Sequence, residues 1–309
     1  MIYDVDGWAH HRRSSMLGKY APADFGVTSA SFVRARDLEA ALGNDEPDII
    51  LLLRTRFTER VRAELLRRGW RSLLIVGWTA AWPLRRHRLQ ACRRVADAVL
   101  FNNAGARSGA GSLPQTFVIP NGVDLDTFRI TVPPRSREPR VLWVGSEQAR
   151  GWKGYDRILL PLRERLESRG IACDYLLVDS WSARGRSAAE MAKWYNRGTV
   201  LLCASLYEGT PNPGLEAAAC GCTVVSTRVG NMTELIEHGV NGFLVKRSVP
   251  AFAAAVESAC RSYPALAEEM SRRIRSWSWE DRCAEHFRLF RKLLRSRRRS
   301  PPASEELFA

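Results

Sequence analysis

A chain of 309 residues with 45% hydrophobic and 26% charged residues has room for two ordinary globular domains, and this makeup excludes a disordered chain. The formal net charge of +14, nearly all of it arginine, favours an anionic partner: a nucleotide, a phospholipid-linked substrate, a membrane surface or a nucleic acid; genomic base composition alone also enriches arginine. Seven cysteines without a CxxC spacing argue against a metal cluster or a disulfide framework and for a reducing cytoplasm.

Chain order begins directly at Met1-Ile2-Tyr3-Asp4, so no secretory leader is expected, and no run of about twenty apolar residues offers a membrane span. Short apolar runs near Ile2–Val5, Phe25–Ala30, Asp48–Leu53, Ser72–Gly77, Ala98–Asn102 and Phe117–Ile119 predict strands. Amphipathic stretches lie between them, as at Glu59–Arg68, where Val61, Leu65 and Leu66 recur at helical spacing. Alternation of this kind predicts an α/β fold with parallel sheets. Residues 131–139 hold Pro133, Pro134 and Pro139 among charges and read as an interdomain linker.

A second α/β unit starts at Arg140–Gly145. A helix is expected over Tyr155–Glu167, a strand over Asp174–Val178, a helix over Ala188–Tyr195 and a strand over Thr199–Ala204. Thr223–Ser226 reads as a strand, and helices are expected over Pro250–Arg261 and Trp279–Leu294. Residues 295–309, with Arg297-Arg298-Arg299 and two prolines, read as a basic tail without structure, in which contact with a polyanion or a membrane surface is the less favoured reading.

The stretch Thr199–Thr227 carries the chemistry. A buried strand leaves its sheet at a loop over Leu206–Asn212, and a short helix over Pro213–Cys220 follows, with Asn212 as its N-cap, Pro213 at the first turn and Gly221 as its stop. Ligands bind at the carboxyl ends of such strands. Unpaired amides around Gly214 and Leu215, with the helix dipole, suit a diphosphate. Glu208 and Glu216, eight positions apart, do not share a helix face; they flank the phosphate site and suit sugar and ribose hydroxyls. Alone, each acid is an ordinary loop or first-turn residue; the functional reading rests on their pairing around Gly209, Pro211, Asn212, Pro213 and Gly214.

The run Glu208-Gly-Thr-Pro-Asn-Pro-Gly-Leu-Glu216 with its Ala-rich continuation to Gly221 resembles the E-x7-E signature of family-4 glycosyltransferases. Its surroundings agree in order: Ile119-Pro120-Asn121-Gly122-Val123-Asp124, Val144-Gly145, Lys153-Gly154, Val229-Gly230-Asn231, Gly239–Val245 and Trp277-Ser278-Trp279-Glu280. The resemblance spans about Phe117 to Leu294 and is only general before that. It implies a GT-B fold of two Rossmann-like domains, here residues 1–132 on the acceptor side and 133–278 on the donor side, with helix 279–294 returning to the first. It further implies a cytoplasmic, metal-independent, retaining transferase that uses a nucleotide-diphosphate sugar as substrate, needs no cofactor, and acts on a glycan, lipid-linked or small-molecule acceptor.

On that model Glu208 stabilises charge at the anomeric carbon, Lys153 neutralises the diphosphate, Glu216 holds the ribose, and the backbone from Gly209 through Thr210, Pro211, Asn212, Pro213, Gly214 and Leu215 holds sugar and phosphate. Two departures stand out. Ser146 follows Gly145 where the family carries an arginine, with Arg150 or Arg184 as substitutes. The first domain is short and lacks the family's histidine near Gly77–Trp82, leaving His10, His11 and Trp78 as acceptor-side candidates. Those departures keep two alternatives open, a weakened nucleotide-binding partner subunit and a nucleotide-sugar epimerase of the same fold. An anionic membrane surface stays a candidate partner through the arginine-rich segments; no nucleic acid is expected, because charge alone supports it.

Overall fold

The computed structural model describes residues 1–3, 9–31, 37–53, 55–78, 86–111, 115–178 and 186–299. Two wholly parallel sheets organise them. In the first half, β1 (Ile2–Tyr3), α1 (Ala9–Lys19), β2 (Ala30–Ser31), α2 (Leu38–Leu42), β3 (Ile49–Leu52), α3 (Thr58–Arg67), β4 (Leu73–Trp78), α4 (Arg86–Val95), β5 (Ala98–Phe101), α5 (Ala104–Gly109) and β6 (Thr116–Val118) build a sheet of order β2-β1-β3-β4-β5-β6. In the second half come β7 (Arg140–Ser146), α6 (Arg150–Lys153), α7 (Leu160–Glu167), β8 (Ala172–Val178), α8 (Ala188–Tyr195), β9 (Val200–Cys203), α9 (Asn212–Ala219), β10 (Thr223–Thr227), α10 (Met232–Leu235) and β11 (Gly242–Val245). Their sheet has the order β11-β10-β9-β7-β8. Helices α11 (Val249–Arg261), α12 (Tyr263–Ile274) and α13 (Trp279–Arg299) close the chain.

Successive strand side chains alternate between faces, so each sheet feeds two cores. In the first sheet Ile50, Leu52, Val76 and Phe101 join Val61, Leu65, Leu89 and Cys92 of α3 and α4. The opposite face, Leu51, Leu53, Ile75 and Leu100, meets Leu17 of α1 and Trp279, Cys283, Phe287, Phe290 and Leu293 of α13. The last helix therefore covers the first domain's sheet with its apolar stripe. In the second sheet Leu142, Leu201 and Val224 pack under α8, α9 and α12, and Val141, Trp143, Val200, Leu202 and Val225 pack under α7 and α11.

The two chain crossings between the domains lie together. Val123 donates its amide to Trp277 and accepts from the Trp279 amide, at 2.8 and 3.0 Å. A Cβ on Gly122 would sit 2.6 Å from the Trp279 backbone, so only glycine permits this approach.

Several expectations need correction. The strand expected over Phe25–Ala30 shrinks to Ala30–Ser31; Phe25 leaves the sheet to pack on Phe287, ring centroids 4.9 Å apart. The linker is no loose spacer. Pro134–Ser136 form a 3₁₀ turn, and the Arg137 guanidinium donates to the carbonyls of Val132, Gly198 and Cys220, fastening the segment to the second domain. Residues 295–299 extend α13 as helix instead of a structureless tail, and residues 300–309 lie outside the described residues. Helix α12 was not anticipated; Pro264 in its first turn concealed a 12-residue amphipathic helix whose Tyr263 hydroxyl donates to the Gly221 carbonyl.

Candidate active site

Strand β9 is wholly buried, and its carboxyl end delivers the loop from Ala204 to Pro211 into the space facing the first domain. Four neighbours hold that loop. Thr227 donates its hydroxyl to the Ser205 carbonyl (2.6 Å), Arg247 donates to the Ala204 carbonyl (2.8 Å), and the Leu206 amide donates to the Trp152 carbonyl (2.8 Å). The Asn231 amide and side chain reach Gly209 and Thr210, at 3.3 and 3.0 Å. Gly230, at φ +49°, lies so close that a Cβ would stand 2.2 Å from the Gly209 carbonyl oxygen. The Val229-Gly230-Asn231 motif thus exists to let one backbone press against another.

Lys153 ends α6, and Gly154 reverses the chain in the left-handed conformation against the end of β9, where a Cβ would meet the Ala204 carbonyl at 2.7 Å. That places the Lys153 ammonium 2.6 Å from Oε1 of Glu208, which also accepts from the Ser205 hydroxyl at 2.7 Å. Burial works against the ammonium charge, but the adjacent carboxylate and its hydrogen bond outweigh that and hold Lys153 above the ordinary lysine value. The second oxygen, Oε2, has no partner among the described residues.

A cavity of about 400 Å³ opens at this pair, lined by His10, Arg13, Asn102, Asn121, Trp152, Lys153, Tyr207, Glu208, Gly209 and Thr210. It is a cleft between the domains: Arg13 and Asn102 come from the first, Lys153 to Thr210 from the second. The amides of Gly209 and Thr210 carry no hydrogen bond among the described residues. Trp152 and Tyr207 stack at its edge, centroids 5.9 Å apart and 21° from parallel.

The helix after the loop differs from expectation. Asn212 is the first helical residue and caps nothing; Pro211 holds the cap position, and Asn212 Oδ1 instead accepts from Asn121 across the crossing, at 3.1 Å. The Gly214 amide is not open to a ligand, since it donates to the Pro211 carbonyl at 2.8 Å, and Gly214 itself is buried against Met232. Leu215 is a core residue. α9 is packed all round because Gly214, Ala217, Ala218 and Ala219 are small enough to admit α8 and α12. Of the run from Gly209 through Leu215 that the sequence suggested, the cleft-lining residues with unbonded amides are Gly209 and Thr210, at its start.

Glu216 is 6% exposed and lines a different crevice, of about 10 Å³, with Arg12, Asn212, Asp124 and Trp279. One of its oxygens pairs with Arg12 of α1 and the other accepts from the Tyr195 hydroxyl at 3.0 Å. Burial, then the Glu216 charge, raises the Tyr195 pKa well above its ordinary value and keeps that hydroxyl a donor. The two acids are thus not brought to one cavity.

Of the other candidates, His10 lines the large cavity and His11 does not. Trp78 is 1% exposed in the first domain's core, beside Phe101, and takes no part in the cleft: a β4 position facing the α3–α4 side points away from it. Gly145 and Ser146 end β7 without reaching the cavity, and the Ser146 hydroxyl donates to Gln148 at 2.7 Å. Arg150 is engaged by Glu147 and Asp156, at 2.8 and 2.5 Å, away from the cavity, so it does not replace the missing arginine there. Arg184 lies outside the described residues. Arg12, Arg13, Trp152, Tyr207 and Tyr195 escaped the sequence reading; the aromatics immediately preceding Lys153 and Glu208 were the available signal.

Comparison with known proteins agrees with this geometry. Residues 140–262 match the family described as "Glycosyl transferases group 1". A D-inositol 3-phosphate glycosyltransferase of Arthrobacter sp. (strain FB24) is 30% identical over 184 residues, 50% of this chain and 44% of that protein. A probable sucrose-phosphate synthase of Thermosipho melanesiensis is 28% identical over 141 residues, 44% of this chain and 30% of the relative. These alignments span less than half of the curated relatives. Among solved structures, Anabaena Alr3699/HepE in complex with UDP and glucose superposes with a TM-score of 0.72 at 14% identity, covering 94% of this chain and 98% of that one. A glycosyltransferase from Rickettsia africae superposes with a TM-score of 0.70 at 12% identity, covering 95% and 97%. The likeness of these structures establishes the fold. No described helix is long and apolar enough to cross a membrane.

Proposed function

We propose that this chain, whose residues 140–262 match the group 1 glycosyltransferases and whose fold is GT-B, moves a sugar from a nucleoside diphosphate to a hydroxylated acceptor, with retention at the anomeric carbon and without a metal ion. The observation that carries the reading is the Lys153–Glu208 pair, set at the carboxyl edge of a parallel sheet in a cleft between two domains.

Glu208 lines the cleft and is anchored through one oxygen, and the other has no partner among the described residues. A fixed carboxylate there stabilises positive charge as the glycosidic bond to the diphosphate breaks. Lys153 and the amides of Gly209 and Thr210 take up the negative charge of the departing diphosphate, and a preorganised site needs no solvent rearrangement to do so. The solved complex with UDP and glucose makes UDP the first nucleotide to try. Glu216 serves the ribose in this reading, which requires Arg12 to withdraw from it on binding.

A panel of nucleoside diphosphates in thermal-shift assays tests the proposal. A nucleotide that binds only the native fold raises the melting temperature, by mass action. Protection by at least one member, with turnover of its sugar conjugate undiminished by EDTA, is the expected result. No protection by any member contradicts nucleotide-sugar use, and loss of turnover in EDTA contradicts the metal-free part alone.

A further inference from the structure

Arg13 sits at the inner wall of the cleft, 1% exposed. Its Nη2 donates to Nε2 of His286 on α13, at 2.7 Å, while Nδ1 of the same ring donates to the Arg282 carbonyl at 2.6 Å. This pattern fixes His286 as the neutral tautomer, so it positions the guanidinium but does not balance its charge. Among the described residues Nε and Nη1 of Arg13 have no partner, and no carboxylate pairs with Arg13. A buried guanidinium left unpaired is among the most unfavourable arrangements a protein interior holds, and interiors that keep one supply the counter-charge from elsewhere. Among the described residues that line the cleft the one carboxylate, Glu208, is already matched by Lys153. Asn121, on the same wall, presents a second orphan: its Oδ1 is buried without a donor among the described residues, its Nδ2 being committed to Asn212.

We propose that Arg13, positioned by His286, receives an acidic group of the acceptor, a phosphate or a carboxylate, while Asn121 Oδ1 accepts from one of that acceptor's hydroxyls. The acceptor is then an acidic polyol or sugar acid ester and not a neutral sugar. Two features separate this subsite from the donor's diphosphate. Arg13 belongs to α1 and is held by α13, both on the first domain's sheet, whereas Lys153, Gly209 and Thr210 come from the second domain. The donor's charge also has its own counter-groups on that opposite wall. The inference rests on the transferase reading above, and its test separates the two.

The test uses the full chain in calorimetric titrations at saturating UDP, with glucose 6-phosphate, glucuronate and glucose as probes. At least one acidic probe is expected to bind about tenfold or more tighter than glucose, the scale of a charge-assisted contact, and the preferred one identifies phosphate or carboxylate as the recognised group. Arg13→Gln should bring that probe down to the level of glucose and leave UDP affinity within about twofold. Acidic probes binding no better than glucose, or not at all, overturn the proposal. So does an Arg13→Gln protein that loses UDP affinity as much as probe affinity, since Arg13 then serves the donor. Should Arg13→Gln fail to fold, the contrast among the three probes on the wild-type protein decides alone, and Arg13→Lys, which keeps the charge, should retain the preference. If UDP fails to bind the wild-type chain, the transferase reading falls, and the same probe contrast run without nucleotide still judges Arg13.

Discussion

The two walls of the cleft are built on opposite principles. On the second domain's wall every charged group is matched: Lys153 by Glu208, Glu208 by Lys153 and Ser205, and the loop that carries them by Thr227, Arg247 and Asn231. On the first domain's wall Arg13 keeps two nitrogens without a partner among the described residues, which steady it through a neutral histidine. A satisfied wall is rigid and ready for its ligand, as a preorganised electrostatic site must be. An unsatisfied wall is stabilised when something binds. The difference teaches where recognition of a constant group and recognition of a variable one are divided in this molecule.

That contrast can be broken or sharpened by variants. The largest effect is expected at Gly230. Alanine there carries a Cβ into the Gly209 carbonyl at φ +49°, so the matched wall should lose its geometry. We expect a loss of about 2 kcal/mol in chemical denaturation, accompanied by loss of nucleotide binding. A variant with unchanged stability and binding would show that the loop does not need the close contact.

Acid should act on the other wall. Burial, then the neighbouring Arg13 charge, pushes the His286 pKa down to about 3 from its ordinary 6.5. Arg13 itself is pulled by burial down to about 10 and stays charged. With a depressed histidine pKa the unfolded chain binds the extra proton first, so this stability is fully present above pH 6.5 and is lost as pH falls toward 3, by about 1.4 kcal/mol per unit at most. His286→Gln, whose amide oxygen still accepts from Arg13, should flatten that part of the profile. Identical acid profiles for the two proteins would remove His286 as the responsible group.

The smallest effect is expected at Arg12, which joins α1 to Glu216 in the neighbouring crevice. If it must leave Glu216 for the ribose, Arg12→Ala should tighten UDP binding by about threefold, the scale of a partly exposed ion pair. Weaker binding would mean that Arg12 helps to hold the nucleotide, and the role given to Glu216 would need revision.

The matched wall was largely legible in the sequence because it is local. Glu208, Gly209 and Thr210 are consecutive, Lys153 precedes a glycine that must be left-handed, and the glycine at 230 sits in a short motif. Alternating strands likewise exposed both sheets, and the family resemblance implied the return of α13 to the first. What failed did so for physical reasons. Asn212 and Gly214 looked like an open helix start, but the preceding Pro211 took the cap position and turned its carbonyl onto the Gly214 amide. Glu216 looked like a partner of Glu208, yet an arginine 204 positions away claims it. Trp78 looked like a cleft residue, but the strand's alternation sends it into the core. Arg13 meets His286 only because α1 and α13 share one face of a sheet, a relation with a separation of 273 residues and no local pattern.

The central claim is that the unpartnered oxygen of Glu208 faces the sugar as its bond to the diphosphate breaks. UDP release from UDP-glucose, compared between the wild-type chain and Glu208→Gln with UDP affinity measured alongside, tests it most directly. The account predicts release by the wild type that falls by about a hundredfold or more in the variant while UDP binding changes little. Equal rates from the two proteins, with UDP bound equally well by both, would contradict it.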